Sequence, residues 1–206
     1  MPRGGGPEKG VVMAPALPQD KKSGYTYREY REWPDNERWE LTHGVACSMS
    51  PAPNTRHQAV LIKLAAVFLR EAESSSCEVF PAPTDVVLGS QNKSLDEADT
   101  VVQPDIVMVC NSEIIHSEAI VGPPEIVVEI LSPSTGFRDQ SVKFSLYEDA
   151  GVAEYWIVNP ETRVVEIFPR SSETGKFGPP KWYRNPGTVA SLVLGRDISV
   201  SGIWDR

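Results

Sequence analysis

The sequence predicts an α/β fold in which a mixed central sheet is flanked by helices. Residues 126–131 form a short, nearly all-apolar run, as expected for a central strand that is covered on both faces. Val142, Leu146 and Ala150 then recur at helical spacing, and residues 155–158 form a second apolar run. A strand, a helix and a strand within about forty residues predict a βαβ unit, whose crossover we expect to be right-handed.

Patterns in the first half of the chain predict a short helix, a hairpin, a long helix and a strand. The segments are residues 25–33, residues 38–50, residues 55–73 and residues 78–88. The long helix follows Asn54, which is a good capping residue. Pro81 and Pro83 interrupt the strand, and because proline cannot donate to a β ladder, we expect the first half of this strand at the edge of a sheet.

The second half of the chain contains four further strand candidates. Residues 101–110 are strongly β-prone, with Pro104-Asp105 at the mouth of the run. Residues 163–168 follow a turn and are predicted to pair antiparallel with the strand at 155–158. Residues 182–184 and 189–194 are weaker strand candidates whose partners the pattern does not identify. We therefore expect an N-terminal hairpin and C-terminal strands to be added to the central sheet.

Length and composition are those of one globular domain. A chain of 206 residues can bury roughly 70% of its unfolded surface, which is enough for one self-sufficient core. The contents of 40% hydrophobic and 23% charged residues are ordinary for a soluble protein. Residues 1–23 are rich in Gly and Pro and lack periodicity. The sequence thus predicts a flexible tail over 1–23 and a single domain over 24–206.

The net charge of −8 disfavours non-specific binding to nucleic acid or to an anionic membrane. A net value does not exclude a local basic groove. Five basic residues are candidates for such a groove, although sequence does not show whether they cluster: Arg56, Lys63, Lys93, Arg138 and Lys143.

The cysteines and the hydropathy pattern predict a cytoplasmic protein. Cys47, Cys77 and Cys110 are odd in number, far apart and without a CxxC pair, so we expect free thiols in a reducing compartment. No apolar run approaches the roughly 20 residues of a membrane span, and the N-terminus lacks the apolar region of a secretion signal. No membrane association is expected.

Two carboxylates stand out because each interrupts or opens an apolar strand. Glu129 lies inside the run 126–131, where an unpaired buried charge costs several kcal/mol, and Asp105 opens the run that follows Pro104. If the strands are neighbours, both carboxylates and the Ile130 carbonyl can bind one Mg²⁺ ion. Lys143, on the predicted helix, would then orient the attacking water or help to deprotonate it.

A structural interpretation of the same residues competes with this one. An Asp after Pro is often a turn residue, and a Glu in a strand often faces solvent at an edge. Lys143 lies four residues after Asp139, and the two can form an exposed ion pair of about 0.3 kcal/mol.

Five blocks of sequence, in this order, carry a family resemblance. They are SPxP…RHQ, QPDIV, PPEIVVEILSPST, D…K…Y and GVAEYWIVNP, and the resemblance that they carry covers about residues 25–200. In these blocks the chain resembles the bacterial Uma-type restriction endonucleases, which in turn resemble the PD-(D/E)xK nuclease superfamily. The resemblance implies a restriction endonuclease-like core of helix, three strands, helix and strand.

The resemblance also implies roles for particular residues. Asp105 corresponds to the first acid of the motif and Glu129 to the second. The motif lysine would fall at Leu131, which is apolar. The superfamily is known to let this lysine move to the following helix, and Lys143 matches the lysine of the D…K…Y block.

Two auxiliary residues follow from the same resemblance. Asp85, in PTDVVL, matches a recurrent acid of the family and is a candidate further ligand or supporting partner of the site. His57, in RHQ, is a candidate neighbour of the site, although a histidine at a helix start is more often a cap or a core contact.

These observations favour an endonuclease that uses Mg²⁺ or Mn²⁺ to hydrolyse DNA phosphodiester bonds. A homodimer is the expected assembly, because two sites related by a two-fold axis cut both strands most simply. Leu131 and the acidic charge favour an alternative, a catalytically inactive nuclease fold that binds nucleic acid or protein. A third class is a metal hydrolase of small molecules, which would need no basic groove.

Overall fold

A computed structural model of the chain describes residues 23–34, 37–49, 54–89, 94–132 and 137–205, with the backbone alone for 137–140. The tail predicted over 1–23 lies outside the described residues, apart from Ser23. Lys93 and the side chains of Arg138 and Asp139 lie outside them as well.

The described ranges contain three α-helices and thirteen strands. The helices are α1 (Tyr27–Tyr30), α2 (Thr55–Ala72) and α3 (Phe137–Ala150). The strands are β1 (Trp39–Thr42), β2 (Val45–Ser48), β3 (Glu78–Pro81), β4 (Val86–Leu88), β5 (Thr100–Val102), β6 (Ile106–Val109), β7 (Ile120–Val121), β8 (Ile126–Ile130), β9 (Glu154–Asn159), β10 (Val164–Pro169), β11 (Lys181–Arg184), β12 (Thr188–Ser191) and β13 (Arg196–Ser199).

Six strands form the central sheet in the order β11, β10, β9, β8, β6, β3. β8 and β9 are parallel and α3 joins them, while β9 and β10 are antiparallel. These pairings confirm the predicted βαβ unit and its antiparallel partner. β3 lies at the edge, as its prolines predicted. The mixed architecture confirms the predicted fold class.

A second sheet has five strands in the order β2, β1, β5, β4, β7, and it contains the predicted hairpin of β1 and β2. Two runs that were each predicted as one strand divide between the sheets. The run 78–88 forms β3 and β4, and the run 101–110 forms β5 and β6. β4 pairs with β5 in one sheet, and β3 pairs with β6 in the other. Prolines inside both runs interrupt the hydrogen bonding between strands, because proline lacks a backbone N–H group.

The predicted helix at 55–73 is confirmed as α2. Asn54 caps it, since its side chain accepts a hydrogen bond from the His57 backbone N–H at 2.9 Å. Its apolar stripe lies on the central sheet, where the rings of Phe68 and Trp156 are 5.2 Å apart. The buried members of this stripe are Val60, Leu61, Leu64, Val67 and Phe68.

The predicted buried stripe of α3 is wrong at Val142, which is 45% exposed. The helix instead buries Leu146 and Tyr147 and turns Lys143 toward the sheet. α3 has few apolar residues, so its apolar pattern did not determine which face is buried. The polar contacts of Lys143 and Tyr147 with Glu129 orient it in the structure.

The two faces of the central sheet have separate cores. Ile126, Val128 and Ile130 of β8 pack with α2 on one face. Val127 packs with Leu146 and Tyr147 of α3 on the other. Since side chains alternate along a strand, Glu129 points to the α3 side together with Val127.

Glu154 attaches the C-terminal strands to the central sheet. The residue is 1% exposed, and its carboxylate accepts hydrogen bonds from Trp156 Nε1 at 3.0 Å and Ser191 Oγ at 2.8 Å. The backbone N–H groups of Leu192 and Val193 also donate to it. The predicted strand at 182–184 is β11, which pairs with β10, and the one at 189–194 corresponds to β12, which pairs with β13.

Two cysteines are not the free thiols that the sequence predicted. A disulfide joins Cys77 and Cys110. Glu78 lies opposite Val109 in the antiparallel pair of β3 and β6, and this register brings the two cysteines together although they are 33 residues apart in sequence. In the same described ranges, no helix is long and apolar enough to span a membrane.

Candidate active site

The two predicted acids lie on neighbouring strands of the central sheet. Ile106 is opposite Val128 in the antiparallel pair of β6 and β8. Continued by one residue, this register sets Asp105 opposite Glu129 at the end of the two strands. Both are shielded, with 18% of the Asp105 side chain and 15% of the Glu129 side chain exposed. The split of the run 101–110 puts Asp105 at the junction of the two sheets.

Asp105 is held by two donors on one oxygen. Its Oδ2 accepts a hydrogen bond from the Ile130 backbone N–H at 2.7 Å and lies 3.1 Å from His57 Nε2. The His57 side chain is 5% exposed. Its Nδ1 is buried without a partner among the described residues, which favours the tautomer that donates from Nε2. His57 therefore contacts the first acid directly.

Glu129 is contacted by the helix that follows it in the chain. Lys143 Nζ is 2.9 Å from Glu129 Oε1, and the Tyr147 hydroxyl donates to the same oxygen at 2.7 Å. Lys143 and Tyr147 are one helical turn apart, so both side chains reach the same strand residue. Lys143 does not point into bulk solvent, because only 18% of its side chain is exposed.

Glu40 belongs to the same cluster, and the sequence analysis missed it. Its Oε1 is 2.9 Å from Lys143 Nζ and accepts the Gln103 backbone N–H at 2.9 Å. Glu40 lies in β1 next to the buried Leu41, so the alternation of the hairpin suggests only a solvent-facing residue. Its position in the site depends on the contact between the two sheets, for which the sequence carries no local pattern.

Burial and neighbouring charges shift the proton affinity of Glu129. Burial raises the pKa of its carboxyl, Lys143 lowers it, and Asp105 and Glu40 raise it further, which brings the pKa to about 7. The site thus holds more negative than positive charge when its acids are ionised, with three carboxylates and one ammonium.

Lys143 remains an ammonium at neutral pH. Burial lowers its pKa, but the adjacent carboxylates of Glu129 and Glu40 raise it by more, so the net pKa lies above the usual value for lysine. Of the two roles considered from the sequence, this favours orientation by a fixed positive charge over abstraction of a proton.

Leu131 lies where the motif lysine would fall. Its backbone N–H donates to the Val158 carbonyl at 2.8 Å, and its side chain packs against the apolar cluster under α3. The position therefore contributes apolar packing on the face from which Glu129 projects, and Lys143 brings the ammonium from the helix above.

Asp85 lies next to the cluster rather than in it. Its Oδ1 accepts hydrogen bonds from the Tyr30 hydroxyl at 2.9 Å and from Gln103 Nε2 at 2.8 Å. Burial raises the pKa of its carboxyl, and the bonds from Gln103 and Tyr30 lower it in part. Gln103 connects the two groups, because its backbone binds Glu40 while its side chain binds Asp85.

The candidate basic residues do not gather beside these acids. Arg56 Nη1 is 2.9 Å from Glu161 Oε2, and Lys63 donates to the backbone carbonyl of Asp205. Lys143 alone of the described candidates lies in the cluster.

The donor set suits a hard divalent cation. Asp105 and Glu129 offer carboxylate oxygens, and Mg²⁺ typically binds one or two carboxylates and retains several waters. The excess negative charge of the cluster also favours a cation. Within the described ranges, no group of three or more His, Cys, Asp or Glu side chains is arranged to hold a metal ion. Backbone and solvent oxygens would therefore complete the coordination.

The fold of this chain has a match among solved structures. The structure matches the crystal structure of an Anabaena variabilis protein described as a putative nuclease belonging to DUF820, with a TM-score of 0.68 and 17% identity. The match covers 87% of this chain and 97% of the other, and at this identity it shows the fold alone.

The chain belongs to the Uma2 family, described as "Putative restriction endonuclease", whose model matches residues 27–199. An uncharacterized protein of Synechocystis sp. is 23% identical over 167 residues, which cover 79% of this chain and 82% of the relative. The family predicted from the five sequence blocks is thereby confirmed.

Proposed function

We propose that the protein is a metal-dependent endonuclease that hydrolyses DNA phosphodiester bonds. The observation that carries this proposal is the position of Lys143, whose ammonium lies 2.9 Å from Glu129 Oε1, close to the ends of the adjacent strands β6 and β8 where Asp105 and Glu129 lie. Acids on two adjacent strands are suited to binding a cation, and a fixed positive charge on the crossover helix is suited to binding a phosphate group.

Asp105, Glu129 and the Ile130 carbonyl would hold the cation, Mg²⁺ or Mn²⁺. When bound, such an ion polarises a phosphoryl oxygen and makes water a better nucleophile. Lys143 presents its ammonium to the charge that develops on the phosphate oxygens. Tyr147 and His57 hold Glu129 and Asp105 in place, so they act as positioning residues. Asp85 acts on the cluster through Gln103 rather than as a ligand.

The test of this function is relaxation of supercoiled plasmid by purified protein with Mg²⁺ or Mn²⁺. We expect nicking that EDTA abolishes and that Asp105→Asn lowers by a hundredfold or more. Folded wild-type protein that leaves the plasmid intact with both metals would exclude the endonuclease.

A catalytically inactive nuclease fold that binds nucleic acid or protein is the second candidate. It is favoured by Leu131 at the motif lysine position and by the pairing of Lys143 with two carboxylates of the protein itself. This candidate predicts DNA or protein binding without nicking, so the plasmid assay separates the two functions.

Metal binding is expected to raise the melting temperature. A cation relieves repulsion among Asp105, Glu129 and Glu40, and at 100 times Kd it stabilises the fold by about 2.7 kcal/mol. Because the pKa of Glu129 is about 7, protons compete with the metal, and the shift should be larger at pH 8 than at pH 6. Melting with and without millimolar Mg²⁺ or Mn²⁺ measures it. An equal shift in Asp105→Asn would place the metal elsewhere.

The assembly expected with this activity is a homodimer, because two sites related by a two-fold axis can cut both strands of a duplex. Light scattering at tens of micromolar should give twice the mass of one chain. A stable monomer would count against double-strand cleavage by a preformed dimer and would leave nicking as the activity.

A further inference from the structure

An aromatic cleft of about 710 Å³ opens beside the carboxylate cluster. Rings of Tyr30, Trp33 and Trp39 line it, and Trp33 is central to them. The centroid of the Trp33 ring is 5.1 Å from that of Tyr30 and 5.9 Å from that of Trp39. These three side chains are only partly buried, so part of their surface faces the cleft.

Polar groups of fixed orientation form one side of the cleft. Arg38 donates to Gln103 Oε1 from Nε at 3.0 Å and from Nη2 at 2.8 Å. This fixes the Gln103 amide, so that Nε2 donates to Asp85 at 2.8 Å and to the Tyr30 hydroxyl at 3.3 Å. The cleft therefore has polar groups of fixed orientation next to flat aromatic surfaces.

The charge of the cleft does not suit a phosphate backbone. Three arginines and four acidic residues line it in the described part of the chain. Two of the arginines are already paired, since Arg28 and Arg31 lie 2.9 Å and 2.6 Å from the carboxylate of Asp96. Aromatic faces with fixed polar groups and no net positive charge instead fit a nucleobase, which stacks by its face and forms hydrogen bonds through its edge.

Gln103 links the cleft to the carboxylate cluster through hydrogen bonds. Gln103 lines the cleft, its backbone N–H binds Glu40, and Glu40 is 2.9 Å from Lys143 Nζ. Asp105 follows Gln103 by two residues, which is roughly 7 Å of extended chain. About two nucleotides span such a distance at about 3.4 Å per nucleotide along a strand.

We propose that this cleft binds one unstacked nucleobase of the DNA strand whose phosphate lies at Lys143. The inference rests on the proposed endonuclease function, which places the phosphate at Lys143. It adds that the substrate is a DNA strand with an unpaired or extruded base. A base inside a regular duplex is stacked on both faces and cannot enter such a cleft.

Fluorescence anisotropy in EDTA, where no cleavage occurs, tests this inference with a labelled 12-nucleotide single strand and the corresponding duplex. We expect the single strand to bind at least tenfold more tightly than the duplex. Trp33→Leu should weaken binding of the single strand by about tenfold, as expected for the loss of one stacking contact. Asp85→Asn keeps the size of the side chain and should weaken it as well, so the result does not depend on the folding of one variant.

The matched control is Trp182→Leu, because Trp182 is 66% exposed on β11 and does not line the cleft. It should bind the single strand as wild type does. Equal or tighter binding of the duplex, or unchanged affinity in both Trp33→Leu and Asp85→Asn, would overturn the inference. If the protein nicks plasmid but does not prefer single-stranded DNA, nucleobase binding in the cleft is refuted and the endonuclease function stands. If single-strand binding depends on Trp33 but no nicking occurs, the endonuclease function alone is refuted.

Discussion

Replacing Lys143 with Met is expected to lower DNA cleavage by a hundredfold or more and to destabilise the fold by about 3 kcal/mol. The sequence alone suggested little effect on folding, since Lys143 only borders the predicted buried stripe of Val142 and Leu146 and its loss removes no core volume. In the structure Lys143 is 2.9 Å from both Glu40 and Glu129, and its removal leaves two shielded carboxylates without their cation. Cleavage is measured by plasmid relaxation and stability by urea denaturation.

The destabilisation in Lys143→Met should be larger at pH 8 than at pH 5.5. The raised pKa of Lys143 keeps it charged at both values, so the pH dependence comes from its partners. Glu129 has a pKa of about 7 and is mostly protonated at pH 5.5, so fewer unpaired charges remain there. Lys176→Met, which removes a 56% exposed lysine paired with Asp149, is the matched control and should leave cleavage unchanged.

Lys143→Arg distinguishes a fixed charge from a base. Arginine stays protonated, so partial retention of cleavage in this variant would agree with the raised pKa of Lys143. If Lys143→Met cleaves DNA as fast as wild type, the ammonium has no role in the reaction and the pair with Glu129 is structural.

Replacing Glu129 with Gln should abolish cleavage yet stabilise the metal-free protein at pH 8. The pKa of Glu129 is raised from 4.5 to about 7, so the folded protein binds this proton more tightly than the unfolded chain does. Stability from this group is therefore full below about pH 4.5 and is lost as the pH rises toward 7, by on the order of 3 kcal/mol. Glutamine carries no ionisable group and avoids that loss.

Urea denaturation in EDTA at pH 5 and pH 8 measures this difference, with Glu161→Gln as a control on an exposed ion pair. Wild type and Glu129→Gln should be similar at pH 5, with the variant more stable at pH 8. Adding Mg²⁺ at pH 8 should stabilise wild type and not the variant. A variant that is less stable than wild type at pH 8 without metal would show that the ionised pair of Glu129 with Lys143 is favourable, contrary to the raised pKa.

Features that depend on residues close together in the sequence were predicted correctly, whereas features that depend on residues far apart in the sequence were missed. The strands around Ile126–Ile130 and Glu154–Asn159, and the helix between them, were predicted because each depends on neighbours a few residues away. The disulfide of Cys77 with Cys110 was missed because it depends on strand register across 33 residues. The buried face of α3 was wrong at Val142 because packing against Glu129, rather than apolar periodicity, orients that helix.

The sequence by itself determined the family and the central βαβ unit, because the five blocks lie within recognisable local elements. It also singled out the two acids as candidates, because Glu129 interrupts an apolar run and Asp105 opens one. Only the tertiary structure decided how these parts meet. It divided two predicted strands between two sheets, and it brought Glu40 from the hairpin to Lys143 on the helix. Glu40 and Lys143 are separated by most of the domain in sequence, so their contact arises from the packing of one sheet on the other, which no local pattern of residues encodes.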